Sequence, residues 1–93
     1  MNYTVIVEPE ALKDLENIIR YITNRDTRQK AVTFANELKK SIASLSEMPM
    51  RCRKSYYLED DNTHDLIYKG YTIVFQICAE KVHILSIFRQ KSY

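Results

Sequence analysis

The chain carries one glycine, two prolines and two cysteines in 93 residues, and each scarcity excludes something. So little glycine and proline, beside a hydrophobic share of 45%, argues against disorder and for an ordinary packed interior. Cys52 and Cys78 are too few for a disulfide scaffold and fit no metal-ligand spacing. They read as two reduced thiols, and no metal or cofactor is expected. No apolar run approaches the roughly 18 residues a membrane span needs. The opening MNYTVIVEPE lacks the basic start and apolar run of a signal peptide. The expectation is a cytoplasmic protein without membrane association. Charge of either sign is nearly balanced at +2, which is weak support for a nucleic-acid partner. There is no internal repeat, low-complexity segment or linker, so residues 1–93 are expected to form one domain, near the size at which one core suffices.

What is present is dense patterning. Residues Tyr3 to Val7 alternate and are rich in β-branched side chains, predicting a strand that Pro9 closes. From Pro9 to about Thr23, Ala11, Leu12, Leu15, Ile18, Ile19 and Ile22 recur at helical spacing. Glu8, Glu10 and Asp14 sit near the start of this helix, where its dipole favours anions. After a polar turn, with Asp26 or Thr27 as N-cap, a second helix is predicted from about Arg28 to Glu47 on Ala31, Phe34, Ala35, Leu38, Ile42 and Leu45. The short connection makes the pair an antiparallel hairpin. Pro49 ends it, a basic loop spans Met50 to Ser55, and Tyr56 to Leu58 is a short candidate strand.

The stretch from His64 to Tyr93 reads as three consecutive antiparallel strands, broken at Lys69-Gly70 and Ala79-Glu80. With two-residue loops, Tyr68 faces Tyr71 and Cys78 faces Lys81, and counting outward assigns the faces. Leu66, Tyr68, Tyr71, Ile73, Phe75, Ile77, Val82, Ile84 and Phe88 form the predicted core face. Asp65, Ile67, Thr72, Val74, Gln76, His83, Leu85, Ile87 and Arg89, with Lys91 and Tyr93 in the same parity, form the other. A bulge would swap part of this assignment. The predicted class is α+β: an N-terminal strand, then an antiparallel helical hairpin on one face of a mostly antiparallel sheet of four to five strands.

These features together resemble the RelE/ParE toxin superfamily. The resemblance is carried by Ala11-x-x-Asp14-Leu15-x-x-Ile18-x-x-Tyr21-Ile22, the second helix ending at Met48-Pro49, and the strands Gly70 to Ile77 and Val82 to Phe88. It covers nearly the whole chain. It implies the toxin half of a bacterial type II toxin–antitoxin pair, which inhibits growth and is often linked to plasmid stabilisation. Such a toxin is held inactive by a co-expressed antitoxin. RelE-like members cut messenger RNA in the ribosomal A site without a metal, whereas ParE-like members poison DNA gyrase.

The RelE nuclease has an arginine after the Gly-Tyr that opens the penultimate strand, and this chain has Thr72 there. Two lysines precede that arginine, at positions held here by Thr63 and Asp65. Attack by a ribose 2′-OH needs charge stabilisation and a proton shuttle, so this departure favours the ParE-like branch. The alternative, a ribosome-dependent mRNA endonuclease, would rest on Arg89 and Tyr93, or on His83, as catalytic groups. An inactive relative that keeps the fold is a further alternative. Target or antitoxin contacts are expected from the loop cations Arg51, Arg53 and Lys54, and from Val74, Gln76, Leu85, Ile87, Arg89 and Lys91. The plainer readings are a solvated loop, a structural His83, and Val74, Leu85 and Ile87 covered by the chain's own tail. Tyr56 and Tyr57 are aromatic enough for base stacking, whereas Tyr68 and Tyr71 belong to the core face.

Overall fold

The computed structural model describes residues 2–55 and 61–89. In chain order these are β1 (Thr4–Val7), α1 (Pro9–Arg25), α2 (Arg28–Ala43), 3-10 turns at Ser44–Ser46 and Pro49–Arg51, β2 (Arg53–Lys54), β3 (Thr63–Tyr68), β4 (Tyr71–Cys78) and β5 (Lys81–Arg89). The five strands form one sheet in the order β1-β5-β4-β3-β2. Only β1 runs parallel to its neighbour, β5, while the other pairs are antiparallel. The predicted α+β class therefore stands, with β1 inserted beside the last strand. The candidate strand Tyr56 to Leu58 lies outside the described residues; just before it, Arg53–Lys54 form a short strand within the predicted basic loop.

Local chemistry sets the helix ends. Pro9 occupies the first turn of α1, where its missing N–H costs nothing. Arg25 sits in the last turn, where the dipole favours a cation. Thr27 caps α2 by accepting from the Lys30 N–H at 3.1 Å, settling the choice between Asp26 and Thr27. The second helix stops at Ala43, four residues short of the expected Glu47. Serines compete for backbone hydrogen bonds, and the chain tightens into the Ser44–Ser46 3-10 turn, which still delivers Leu45 to the core with no exposed surface.

The helices bury Ala11, Leu15, Ile18, Leu38 and Ile42 against Tyr71, Ile73, Phe75, Ile77, Val82, Ile84 and Ile87 of the sheet. Phe34 tilts onto Tyr71 with ring centroids 5.1 Å apart, an edge-weighted geometry that aromatic pairs favour. A clasp then ties the β3–β4 turn to α2. The Tyr68 hydroxyl and Lys69 Nζ both donate to Glu37 Oε2, the latter at 2.8 Å. The turn itself places both Lys69 (φ 45°) and Gly70 (φ 84°) in the left-handed region, as a two-residue hairpin requires. In the second hairpin only the first turn residue is left-handed, and it is a less suited one, Ala79 at φ 56°.

Both hairpin registers begin as predicted, with Tyr68 opposite Tyr71 and Cys78 opposite Lys81. The β4–β5 register then breaks. Phe75 pairs with Ile84 but Val74 pairs with Ser86, leaving Leu85 as the extra residue of a bulge. Everything beyond it changes face. Ile87, expected on the outer face, lies opposite Ile73 and is 3% exposed in the core. Phe88, expected in the core, lies opposite Thr72.

The bulge has a visible support. The Glu8 N–H donates to the Ile84 carbonyl at 3.0 Å, so Ile84 turns its backbone groups toward β1. Pairing with β1 ends there, at Val7–Ile84. In an unbroken strand the amides of Ser86 and Phe88 would follow on that outer edge. Here the Ile87 N–H does so instead, and Asp14 of α1 accepts it at 2.9 Å. That hydrogen bond exists only in the bulged register.

Candidate functional site

The bulge decides where the last cation of the sheet goes. Arg89 lies opposite Tyr71, and therefore on the helix side rather than on the outer face expected from counting. With Tyr71, and with Asn17, Ile18 and Tyr21 of α1, it lines an open groove of about 320 Å³. Ile18 and Tyr71 are each 9% exposed and make the floor, while Tyr21 at 44% makes a wall. The Arg25 guanidinium lies 5.4 Å from the Tyr21 ring centroid, and Arg20 donates to Asn17 Oδ1 at 3.3 Å. The rim is cationic and the interior apolar.

The other expected site cations are engaged within the fold. Arg51 donates to the carbonyls of Glu47 (2.9 Å) and Met48 (3.2 Å) and to Ser44 Oγ (3.1 Å), bracing the two 3-10 turns. Arg53 reaches Asp65 at 3.5 Å, and Lys54 reaches Asp61 at 3.3 Å. The Met50 to Ser55 segment is thus no cluster of idle charges. Among the described residues expected to form the site, Arg89 is the cation with no hydrogen bond or ion pair. Lys91 and Tyr93 lie outside the described residues.

The reverse face of the sheet also differs from expectation. Val74, expected at a partner contact, is 3% exposed, so it offers a partner no surface. Ile87 is likewise withdrawn, into the helix-facing core. Gln76 and the bulged Leu85 remain partly exposed. Thr63 and Thr72 are fully buried and Asp65 is 2% exposed. The hydroxyls of Thr63 and Thr72 have no hydrogen-bond partner. These are the positions where the RelE nuclease carries its three cations, and in this chain they present two enclosed hydroxyls and an ion-paired carboxylate.

His83 pairs across the hairpin with Gln76 as predicted, yet its Nδ1–H donates to Glu8 Oε1 at 2.7 Å. That bond joins β5 to the β1–α1 junction. His64, which the sequence did not single out, is 8% exposed, stacks on Phe75 and donates from Nδ1 to the Cys52 carbonyl at 3.0 Å. Both imidazoles therefore have structural partners. Burial pushes the Cys52 thiol up, against the opposing pull of Arg51, which suppresses thiolate chemistry. Among the described residues no group of three or more His, Cys, Asp or Glu could hold a metal ion, and no helix is long and apolar enough to cross a membrane.

A second apolar groove of about 320 Å³ lies beside β1, lined by Val5, Val7, Leu12, Leu15, Lys39, Ile42 and Ala43. Val7 and Leu12 are 39% and 48% exposed there, and β1 is the outer strand of the sheet. This groove shares no lining residue with the Arg89 groove. The sequence supplied Leu12 and Leu15 as helix-stripe residues but could not place them at a sheet edge.

A helical hairpin laid on one face of a mostly antiparallel sheet is a fold shared with proteins of two toxin–antitoxin systems. The fold matches a chain of the chromosomal ParDE toxin–antitoxin system from Pseudomonas aeruginosa, with a TM-score of 0.83 at 15% identity over 96% of this chain and 97% of that one. It also matches a chain of the RelBE2 toxin–antitoxin complex from Mycobacterium tuberculosis, with a TM-score of 0.62 at 24% identity over 97% and 100%. No curated protein matches the chain significantly in sequence. The family described as the ParE toxin of the type II toxin–antitoxin system parDE matches residues 5–92. The chain belongs to that family.

Proposed function

We propose that this toxin arrests growth by binding DNA gyrase rather than by cutting ribosome-bound mRNA, and that a co-expressed antitoxin holds it inactive. The observation that carries this reading is the burial of Thr63, Asp65 and Thr72. A nuclease of the RelE kind needs cations facing the scissile phosphate there. Losing one well-placed charge donor costs ~10²–10³ in rate, and here the positions face no substrate at all. Arg89 cannot restore that site, because the bulge sends it to the helix side. His83 is held by Glu8. The gyrase reading implies a cytoplasmic protein.

The antitoxin reading is supported by the outer edge of β1 and the apolar groove next to it. An extended segment can add a strand to that edge, while an apolar side chain fills the groove between Leu12 and Ile42. Two of the similar folds come from toxin–antitoxin pairs, which fits a segment that orders as it binds. The test is a supercoiling assay. Purified toxin should inhibit gyrase, and the product of the adjacent gene should relieve the inhibition. Full supercoiling activity at saturating toxin would overturn the reading.

A further inference from the structure

Three features of the Arg89 groove point to a ligand. The guanidinium is exposed and has no internal partner, although it sits beside two tyrosines and an isoleucine. Its neighbours Arg20 and Arg25 add charge of the same sign on the α1 side. The interior is apolar, and about 320 Å³ is room for one large side chain, at the small end of ligand pockets, which run about 300–1,000 Å³.

Two ligand chemistries suit a cation beside tyrosines: a stacked base with its phosphate, or a carboxylate beside an apolar side chain. The rings decide between them. Tyr71 is 9% exposed and tilts against Phe34, so it has no face open for stacking. One face of Tyr21 carries the Arg25 guanidinium. A base would find no stacking platform on Tyr71 and at most one face of Tyr21, and the net charge of +2 gives little general attraction for a polyanion. An apolar side chain can instead lie on Ile18 and the Tyr71 edge, with a neighbouring carboxylate in a bidentate pair with Arg89.

We infer that the groove between α1 and the end of β5 is the toxin's target-recognition site, and that it takes a protein segment presenting a large apolar side chain next to an acidic residue. The assignment rests on the gyrase reading above and names the surface that performs it. The antitoxin has a different groove, beside β1, so inhibition and neutralisation separate by mutation. Asp14 serves the site as a positioning residue, since its bond to the Ile87 amide holds the register that turns Arg89 inward.

The experiment compares purified wild type with Arg89→Glu, Arg89→Lys and Tyr21→Ala. Each is measured for inhibition of gyrase supercoiling, direct binding to gyrase, antitoxin binding and thermal melting. Both altered side chains are exposed, so the melts should stay near wild type. Arg89→Glu and Tyr21→Ala should each weaken inhibition at least about tenfold, the loss typical of a central contact, while binding the antitoxin normally. Arg89→Lys should recover part of the loss. Lys81→Glu, an exposed charge reversal at the other end of β5, should inhibit as wild type does.

Unchanged inhibition by Arg89→Glu and Tyr21→Ala overturns the site assignment and leaves the gyrase reading intact. Lost antitoxin binding with retained inhibition gives the groove to the antitoxin and also overturns it. Tight binding of a single-stranded RNA oligonucleotide that Arg89→Glu abolishes would make the groove a nucleic-acid site. Failure of the wild type to inhibit gyrase removes both readings together.

Discussion

Replacing Asp14 should loosen the one irregular point of the sheet. The Asp14 carboxylate accepts the Ile87 N–H at 2.9 Å, and Ile87 is 3% exposed, so the amide has little recourse to water. A hydrogen bond to a charged acceptor contributes ~1.5–3 kcal/mol, and a buried donor left unpaired costs ~1–3 kcal/mol. Asp14→Ala should therefore destabilise the bulged register by about 2–3 kcal/mol. In a chain of this size that lowers the melting midpoint by roughly 8–24 °C. Asp14→Asn keeps a neutral acceptor and should lose about half as much. Part of the Asp14→Ala population should shift to the unbroken register, with Phe88 inward and Ile87 outward. Thermal melts and amide hydrogen exchange at Ile87 measure the two effects. Wild-type midpoint and wild-type Ile87 protection in Asp14→Ala would refute the idea that this carboxylate holds the bulge.

Phe75→Ala removes a side chain with no exposed surface at the centre of the core and should cost ~3–5 kcal/mol in urea unfolding; a loss below about 1 kcal/mol would mean the site collapses freely. Ala79 sits at φ 56°, where an alanine is strained by ~1–2 kcal/mol. Ala79→Gly relieves this against an entropic cost of ~0.5–1 kcal/mol, so the melting midpoint should hold or rise by a few degrees, and a clear fall would contradict the turn geometry. The Glu37 clasp should show in the pH profile. Hydrogen bonds from Lys69 and Tyr68 lower the Glu37 pKa below its ordinary 4.5, so its contribution is present above that value and lost as pH falls through the lowered one. The bond to Glu37 raises Lys69 above 10.5, so that contribution is present below 10.5 and lost as pH rises through the raised value. The difference in midpoint between wild type and Glu37→Gln should be flat between these limits, shrink beyond them, and shrink with added salt because the pair is exposed.

The parts of the fold legible in the sequence were those set by repetition. Ala11, Leu15 and Ile18 recur at helical spacing, and the alternation of Tyr71, Ile73, Phe75 and Ile77 names a buried face without any tertiary information. The Lys69-Gly70 turn was legible because its glycine supplies a backbone region few residues enter. The end of β5 was not. Ile87 and Phe88 are adjacent large apolar residues, so either parity buries one of them, and the hydrophobic pattern is degenerate. The choice falls to Asp14, 73 residues away along the chain, and a carboxylate on a helix stripe announces nothing of that kind. The site followed the same logic. Arg89 was identifiable as a cation closing the last strand, but its face depended on the bulge. Arg51, Arg53 and Lys54 looked like a binding cluster because their partners, Glu47 and Met48 carbonyls, Asp65 and Asp61, are brought to them only by folding. Thr63 and Thr72 were informative through what they replace, and their burial added the geometry.

If the toxin acts by binding and not by cutting RNA, primer extension on ribosome-bound message after toxin induction should give continuous extension products, with replication stalling before translation falls. Discrete cuts in the ribosomal A site that disappear in His83→Ala or Tyr93→Ala would contradict this and establish the nuclease.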